Sequence, residues 1–341
     1  MITVGLDVHR SRTNAALLDE STGELLSSRS VPTAEVPELI ASLPAPTRVV
    51  MEAGTTSMVL ARTLKSCIDD VSVVNCTEAR RQLKSMATAK TDRIDAENLA
   101  VAHSKGRLEY GLVWVPDPLT AELRVLTRTR IRLVRLRVSC QVQLRNVLDQ
   151  INHPRVGGSM TSQATRRWLE ELELGRSESE VVDAFVDPMD KFTERIDLLE
   201  AQIGALSSDC EMCALLMTLP GVADVLASTM RAEIGAIERF PSARQLASYC
   251  GLPPATAESG GRESGRGMQS DGNRWLRWAF IEAAQHFACT SATQELSPVK
   301  RFQRLAMRKH RNVAKVALAN RLTGIVFAML RDRRPFDPGL L

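Results

Sequence analysis

Ile2-Thr3-Val4-Gly5-Leu6-Asp7-Val8-His9 opens the chain as a run rich in β-branched residues that ends beside an acid. The residues after it decide the kind of sheet it joins. Thr13-Asn14-Ala15-Ala16-Leu17-Leu18-Asp19 reads as a second strand, Glu20-Ser21-Thr22-Gly23 is turn chemistry, and Glu24 to Val31 returns as a third strand. The result is a three-stranded meander whose first strand carries Asp7. Glu35 to Leu43 has the character of a short helix. Arg48-Val49-Val50-Met51-Glu52-Ala53-Gly54 is a buried strand running into Glu52 and a glycine, Ser57 to Cys67 is helical, and Val71 to Asn75 is a further strand.

The next helix begins within Ala89-Lys90-Thr91-Asp92-Arg93-Ile94-Asp95-Ala96. Thr91 or Asp92 can cap it, and Ile94, Leu99, Val101 and Ala102 supply an apolar side. Asp92 and Asp95 stand three apart, so they share a face about one turn apart. Taken alone they are acids that favour a helix N-terminus, just as Asp7 alone is a strand-end acid and Glu52 a loop acid. Strand, hairpin, helix, strand, helix, strand, helix is the order of a ribonuclease-H-like α/β domain. In such a sheet the ends carrying Asp7, Glu52, Asp92 and Asp95 can converge at one edge. Four carboxylates meeting there repel unless a cation lies between them. Hard oxygen ligands suit Mg²⁺ or Mn²⁺, and two such ions can clamp a phosphodiester.

A chain of 341 residues is too long for one ordinary core, so two or three domains are expected. With 44% hydrophobic and 25% charged residues the composition is that of a soluble globular protein. No run of about 18 apolar residues stands in the sequence, so no segment is expected to span a membrane, and the N-terminus has no signal-peptide anatomy. Seven cysteines, an odd number, suggest free thiols and a cytoplasmic location. Cys210 and Cys213 form the single CxxC and lack the further ligands of a structural zinc, so they read as buried helix residues.

From Pro116-Asp117-Pro118 the character changes. Leu119, Leu126, Leu133, Cys140 and Val147 recur every seventh residue, and Leu123, Leu144 and Ile151 fill a second column that Arg130 and Arg137 interrupt. This is a long helix with an imperfect heptad seam. No acid stands between Glu122 and Asp149, while Arg124, Arg128, Arg132, Arg135 and Arg145 crowd the interval. Such a block suggests a polyanion partner. Aromatic residues make up only 4%, so base-stacking platforms are not the expected mode. After the break at His153-Pro154, a second long helix from about Glu180 to Met217, with Pro188 inside it, completes an antiparallel helical hairpin.

Leu219-Pro220-Gly221-Val222 opens a C-terminal domain with a turn resembling a helix-hairpin-helix element. Gly251 to Arg274 reads as a Gly-rich loop carrying Ser259, Ser264, Ser270, Arg262, Arg266 and Arg274. Arg277 follows at a helix start, and the tail adds Lys300, Arg301, Arg304, Arg308 and Arg321. Glycine allows close approach and arginine prefers phosphate, so this domain points to nucleic acid.

These residues resemble the insertion-sequence-110 family of transposases, the DEDD-type recombinases related to the Piv invertases. The likeness rests on Gly5-Leu6-Asp7-Val8-His9, Met51-Glu52-Ala53-Gly54, Lys90-Thr91-Asp92-Arg93-Ile94-Asp95-Ala96, Leu219-Pro220-Gly221-Val222, and Tyr249-Cys250-Gly251-Leu252-Pro253-Pro254 leading to Glu258-Ser259-Gly260. It implies a RuvC-like domain of RNase-H fold over 1–115, a coiled-coil arm over 116–215, and a mostly helical transposase domain over 216–341. It implies a metal-binding catalytic tetrad of Asp7, Glu52, Asp92 and Asp95, with Mg²⁺ or Mn²⁺, and a nucleophile at Ser259. Donor and target double-stranded DNA, a structured non-coding bridge RNA, and dimers assembling to a tetramer are the implied partners, with no membrane. The RNA rests on the resemblance alone. Phosphate contacts are expected from Lys90, Arg93, Arg124, Arg128, Arg132, Arg135, Arg262, Arg266, Arg274 and Arg277. Two other readings stay open: a RuvC-like nuclease or resolvase using water, with Ser259 only touching phosphate, and a non-catalytic nucleic-acid-binding protein.

Overall fold

The computed structural model describes residues 1–83, 91–153, 158–259, 262–268 and 272–340, with the backbone alone at Leu83, 254–259, 262–268 and Leu340. The chain forms two compact units, Met1–Pro118 and Leu119–Leu341. The first holds β1 (Ile2–Val8), β2 (Arg12–Asp19), β3 (Leu25–Pro32), α1 (Val36–Ala41), β4 (Thr47–Glu52), α2 (Thr55–Leu64), β5 (Val71–Val74), α3 (Cys76–Leu83) and α4 (Asp92–Ser104). Its five strands run in the order β3-β2-β1-β4-β5. The meander β1-β2-β3 is antiparallel, whereas β4 and β5 extend the sheet in parallel with β1.

Strand alternation sorts the side chains into two cores. Val4, Leu6, Val49 and Met51 pack with Ile40, Leu60 and Leu64 from α1 and α2. Val50 and Val74 pack with Ala79, Leu99 and Ala102 from α3 and α4 on the opposite face. Gly5 lies on that second face, where α4 comes so close that a Cβ on Gly5 would stand 2.1 Å from the Ala96 carbonyl oxygen.

The second unit opens with α5 (Pro118–Gln150), α6 (Gln163–Glu170) and α7 (Arg176–Ser207). Leu144 and Leu148 pack against Val182 and Met189, while Leu123 meets Ile203, so α5 and α7 run antiparallel. Where the sequence suggests one helix to Met217, α7 stops at Ser207 and α8 (Glu211–Met217) starts afresh. Cys210 caps α8 by accepting from the Cys213 amide, and Cys213 is buried. A core around Phe280, Phe287, Leu318 and Leu322 joins α8 to α9 (Asp224–Ile234), α10 (Ala243–Cys250), α11 (Arg274–Cys289), α12 (Ser297–Ala306) and α13 (Arg311–Asp332). The turn at Gly221 has φ +86°, and a Cβ there would lie 2.7 Å from the Phe287 nitrogen, so glycine alone fits.

One further expectation is corrected. The Gly-rich segment is not simply a loop: β6 (Pro254–Ser259) and β7 (Arg262–Met268) pair as an antiparallel ribbon. Its glycines and small residues have low strand propensity, so only the pairing reveals it. Among the described residues α13 is also long and apolar enough, by length and composition, to cross a membrane. Its buried Leu318, Leu322, Val326 and Phe327 lie in the hydrophobic core, which accounts for that composition.

Candidate functional site

The acids come together through register. Leu6 pairs with Met51 across parallel β1 and β4, so Asp7 and Glu52 follow side by side at the C-terminal ends of adjacent strands. Asp7 lies two residues beyond Gly5 and Glu52 two beyond Val50, on the face covered by α4. Thr91 caps α4 with an extended backbone, its hydroxyl accepting from the Ile94 amide at 3.3 Å. Asp92 and Asp95 then occupy the first turn, favoured by the helix dipole. Because α4 rests on β1 at Gly5, that first turn arrives beside Asp7.

His9 stands between two of the acids. Its Nε2 lies 3.0 Å from Asp7 Oδ2 and 3.4 Å from Asp92 Oδ2. Ligand atoms of Asp7, His9 and Asp92 all fall within 4.8 Å of one another. Burial pushes the Asp7 carboxyl above its ordinary range; His9 opposes the rise, and Asp92 and Asp95 add to it. Burial also pushes Glu52 up, with Cys76 and Arg80 opposing and Asp7 and Asp95 adding. Asp95 therefore acts on both strand-end acids, and the four carboxylates form one electrostatic cluster. The tight trio holds only two of the four expected acids, and His9 is the member sequence reasoning passed over. Its spacing from Asp7, on the rim of the same strand, was the available signal. The donor set fits a divalent cation: hard oxygens, one imidazole, and mutual repulsion that a positive charge relieves.

In the second unit Ser259 closes β6, and its register partner is Arg262 at the start of β7. Ser264 pairs with Ala257 and Arg266 with Ala255, farther down the ribbon. Lys90 and Ser270 fall outside the described residues.

The expected phosphate-contacting arginines divide by environment. Arg93 is exposed and pairs with Glu97 along α4. Arg132, Arg135 and Arg274, all exposed, surround the buried Trp275 ring at 5.4, 5.5 and 4.7 Å from its centroid, with Arg128 at 5.8 Å. Cation–π attraction holds guanidinium groups together that otherwise repel. Arg124 and Arg128 turn inward instead. Arg128 forks onto the fully buried Glu233, and Arg124 donates to the Ala232 and Glu233 carbonyls. Arg277 donates to the Cys250 carbonyl. These three have structural work that their positions in the sequence did not announce. Farther along, Arg301, Arg304, Arg308 and Arg321 line a groove of about 970 Å³ over Phe302, Leu305 and Leu318.

Comparison with known proteins gives two family matches along the chain, the first of which runs past Pro118 through α5. Residues 4–153 match a transposase model of the IS110 DEDD type, and residues 213–298 match the model described as transposase IS116/IS110/IS902 family. The chain is 26% identical over 340 residues to a probable family 20 transposase of Pseudomonas aeruginosa, covering 98% of each chain. It is 31% identical over 296 residues to the insertion element IS110 uncharacterized 43.6 kDa protein of Streptomyces coelicolor, covering 72% of this chain and 71% of that one. It is 33% identical over 129 residues to the pilin gene-inverting protein of Moraxella bovis, covering 36% of this chain and 38% of the relative.

Proposed function

This chain belongs to the IS116/IS110/IS902 transposase family, enzymes that act on DNA, and from that premise we propose that it cuts and rejoins DNA strands through a 5′-phosphoserine intermediate on Ser259. The observation that carries the proposal is the convergence of Asp7, His9 and Asp92, with Asp95 and Glu52 in electrostatic reach. A cluster of acids, partly buried and mutually repelling, is poor design for a binding module and suits a metal-assisted phosphoryl-transfer site. The strand order β3-β2-β1-β4-β5 with α4 across β1 supports a RuvC-like, RNase-H reading of 1–115. Antiparallel α5 and α7 support an arm over 116–215, and 216–341 is the transposase domain.

Asp7, Glu52, Asp92 and Asp95 would hold Mg²⁺ or Mn²⁺, which when bound neutralises charge on the phosphate. Ser259 supplies the nucleophile. Its Oγ attacks phosphorus, a serine O–P bond forms as the P–O3′ bond breaks, and the hydroxyl proton ends on the departing 3′ oxygen. One phosphodiester replaces another, so a 3′-OH can reverse the step after strands exchange. Arg262 and Arg266, on the strand paired with β6, supply positive charge along the ribbon. Lys90, Arg93, Arg132, Arg135 and Arg274 contact backbone phosphates. The family likeness extends the proposal to a bridge RNA guide and to dimers assembling to a tetramer.

The competing use of the same acids is hydrolysis, with water as nucleophile. Trapping separates them. Wild-type protein with DNA and RNA from the element's own flanks should yield a denaturant-resistant, protease-sensitive protein–DNA adduct that Ser259→Ala abolishes. An adduct that survives in Ser259→Ala and vanishes in Ser264→Ala or Ser270→Ala moves the nucleophile. Strand cleavage without any adduct leaves hydrolysis.

A further inference from the structure

The ribbon bearing Ser259 leaves the helical core at two neighbouring points. Gly251, with φ +66°, ends α10 ahead of β6, and Gly272-Asn273 receives the chain after β7. These points are locked together. The Asn273 amide donates to the Tyr249 carbonyl at 2.7 Å, and Arg277 Nε to the Cys250 carbonyl at 2.8 Å. A Cβ on Gly272 would lie 2.5 Å from both Cα and N of Gly251, so no side chain fits there.

Asn273 faces both ways. Its Oδ1 caps α11 by accepting from the Trp275 and Leu276 amides. Its Nδ2 donates to Glu233 Oε2 at 2.8 Å and to the Tyr249 hydroxyl at 3.1 Å. Glu233 is fully buried in α9. Arg128 of α5 grips it from the far side, Nε to Oε1 at 2.7 Å and Nη2 to Oε2 at 2.8 Å. Arg124 Nε approaches Oε2 at 3.7 Å.

Stability is a weak reason to keep such a group. Well-packed apolar replacements of a buried ion pair often leave a protein as stable as before. An apolar contact cannot, however, set direction. A forked guanidinium fixes the plane of the carboxylate, and the carboxylate fixes the Asn273 amide. That amide belongs to the residue on which the ribbon returns to the core. We propose that Arg128–Glu233–Asn273 is a positioning relay: it fixes the root of the Ser259 ribbon from the arm helix α5. Glu233 and Asn273 are then positioning residues that act on the reaction through the ribbon. The relay's catalytic role rests on Ser259 being the nucleophile; its mechanical role does not.

The test uses the full chain with DNA and RNA from the element's own flanks. Asn273→Asp keeps the helix cap and sets a second carboxylate against Glu233 in place of the amide donor. Adduct formation should slow by about 100-fold, the cost of a misplacement of about 1 Å. Equilibrium affinity for DNA, to which Arg262 and Arg266 on the ribbon and Arg274 beside its root are only some of the proposed contributors, should fall far less, by at most about fivefold. Adding Glu233→Gln restores a donor–acceptor pair and should recover about tenfold or more of the rate. A residue that merely stabilises the fold would not show that rescue at a temperature where both proteins are folded. Hydrogen exchange at the amides of 254–259 and 262–268 needs no chemistry. It should quicken in Asn273→Asp and slow again in the double variant. If Asn273→Asp does not fold, Asn273→Ser replaces it, since serine caps a helix without offering an amide. A folded single variant with wild-type adduct rate and exchange overturns the relay, as does a double variant no better than the single. If wild type forms no adduct, the serine assignment is what fails. Exchange alone then decides the relay, and unchanged ribbon amides in the single variant sink it.

Discussion

Gly5→Ala asks whether the closeness of α4 to the sheet is what builds the acid cluster. A Cβ on Gly5 would lie 2.1 Å from the Ala96 carbonyl oxygen, 2.7 Å from the Ala100 nitrogen and 3.1 Å from the Ala100 Cβ. Carbon and carbonyl oxygen rest no closer than about 3.3 Å, so α4 must withdraw by roughly 1 Å. None of the three atoms lies at the end of a flexible side chain, so no rotamer change relieves the clash. Ala96 directly follows Asp95, so the withdrawal carries Asp92 and Asp95 away from Asp7, two residues along the same face of β1. Overpacking of this kind costs about 1–3 kcal/mol, which lowers the melting temperature of a unit this size by roughly 4–15 °C. At the acids, a misplacement of about 1 Å costs about 100-fold in rate. The assay is thermal unfolding of the full chain beside strand-transfer kinetics, run where the variant is still folded. A variant that melts and reacts like wild type refutes the packing argument. One that melts lower but reacts at the wild-type rate shows that the acids do not depend on this contact.

Other consequences are testable in simpler ways. If the acid cluster holds a divalent ion, Mg²⁺ or Mn²⁺ should raise the melting temperature of wild type through binding to the folded state, and Asp95→Asn should lose most of that shift; a wild type indifferent to both ions speaks against the site. His103, toward the end of α4, is held below its usual value of 6.5 by burial, the neighbouring acids opposing this and Arg48 adding to it. The unfolded chain therefore takes up a proton that the folded chain resists. Its stabilising share is present above pH 6.5 and lost as pH falls through the depressed folded value, so denaturation midpoints should decline with acid and His103→Gln should flatten the decline. Arg132, Arg135 and Arg274 carry the proposed phosphate contacts around Trp275. Each change to Gln should lower the slope of log affinity against log salt by about 1 without altering sequence preference; a triple variant with the wild-type slope removes the ring from the DNA surface.

Some of this was legible because it is local. Asp7 and Glu52 end runs of β-branched and apolar residues, and Thr91 with Asp92 and Asp95 has the composition of a capped first turn. The heptad spacing of Leu119, Leu126 and Leu133 announced α5 in the same way. The ribbon was not legible, because Pro254 to Ser259 and Arg262 to Met268 hold a single β-branched residue, Thr256, and no aromatic one, and so carry little strand signal until the two segments pair. Nor was the inward turn of Arg124 and Arg128. In the sequence they are members of one basic block with Arg132 and Arg135, and only the arrival of Glu233 from α9 separates them.

The sequence by itself determined the periodicities, the ends of the strands and the chemistry available there, since each depends on neighbours a few residues away. The tertiary structure decided which ends meet. Parallel register between β1 and β4 set Asp7 beside Glu52, and the missing side chain at Gly5 let α4 bring Asp92 to His9. The same holds for charge. An arginine's identity says that it seeks an anion, but whether it finds a buried glutamate or is left facing solvent depends on what long-range packing places within about 4 Å of it.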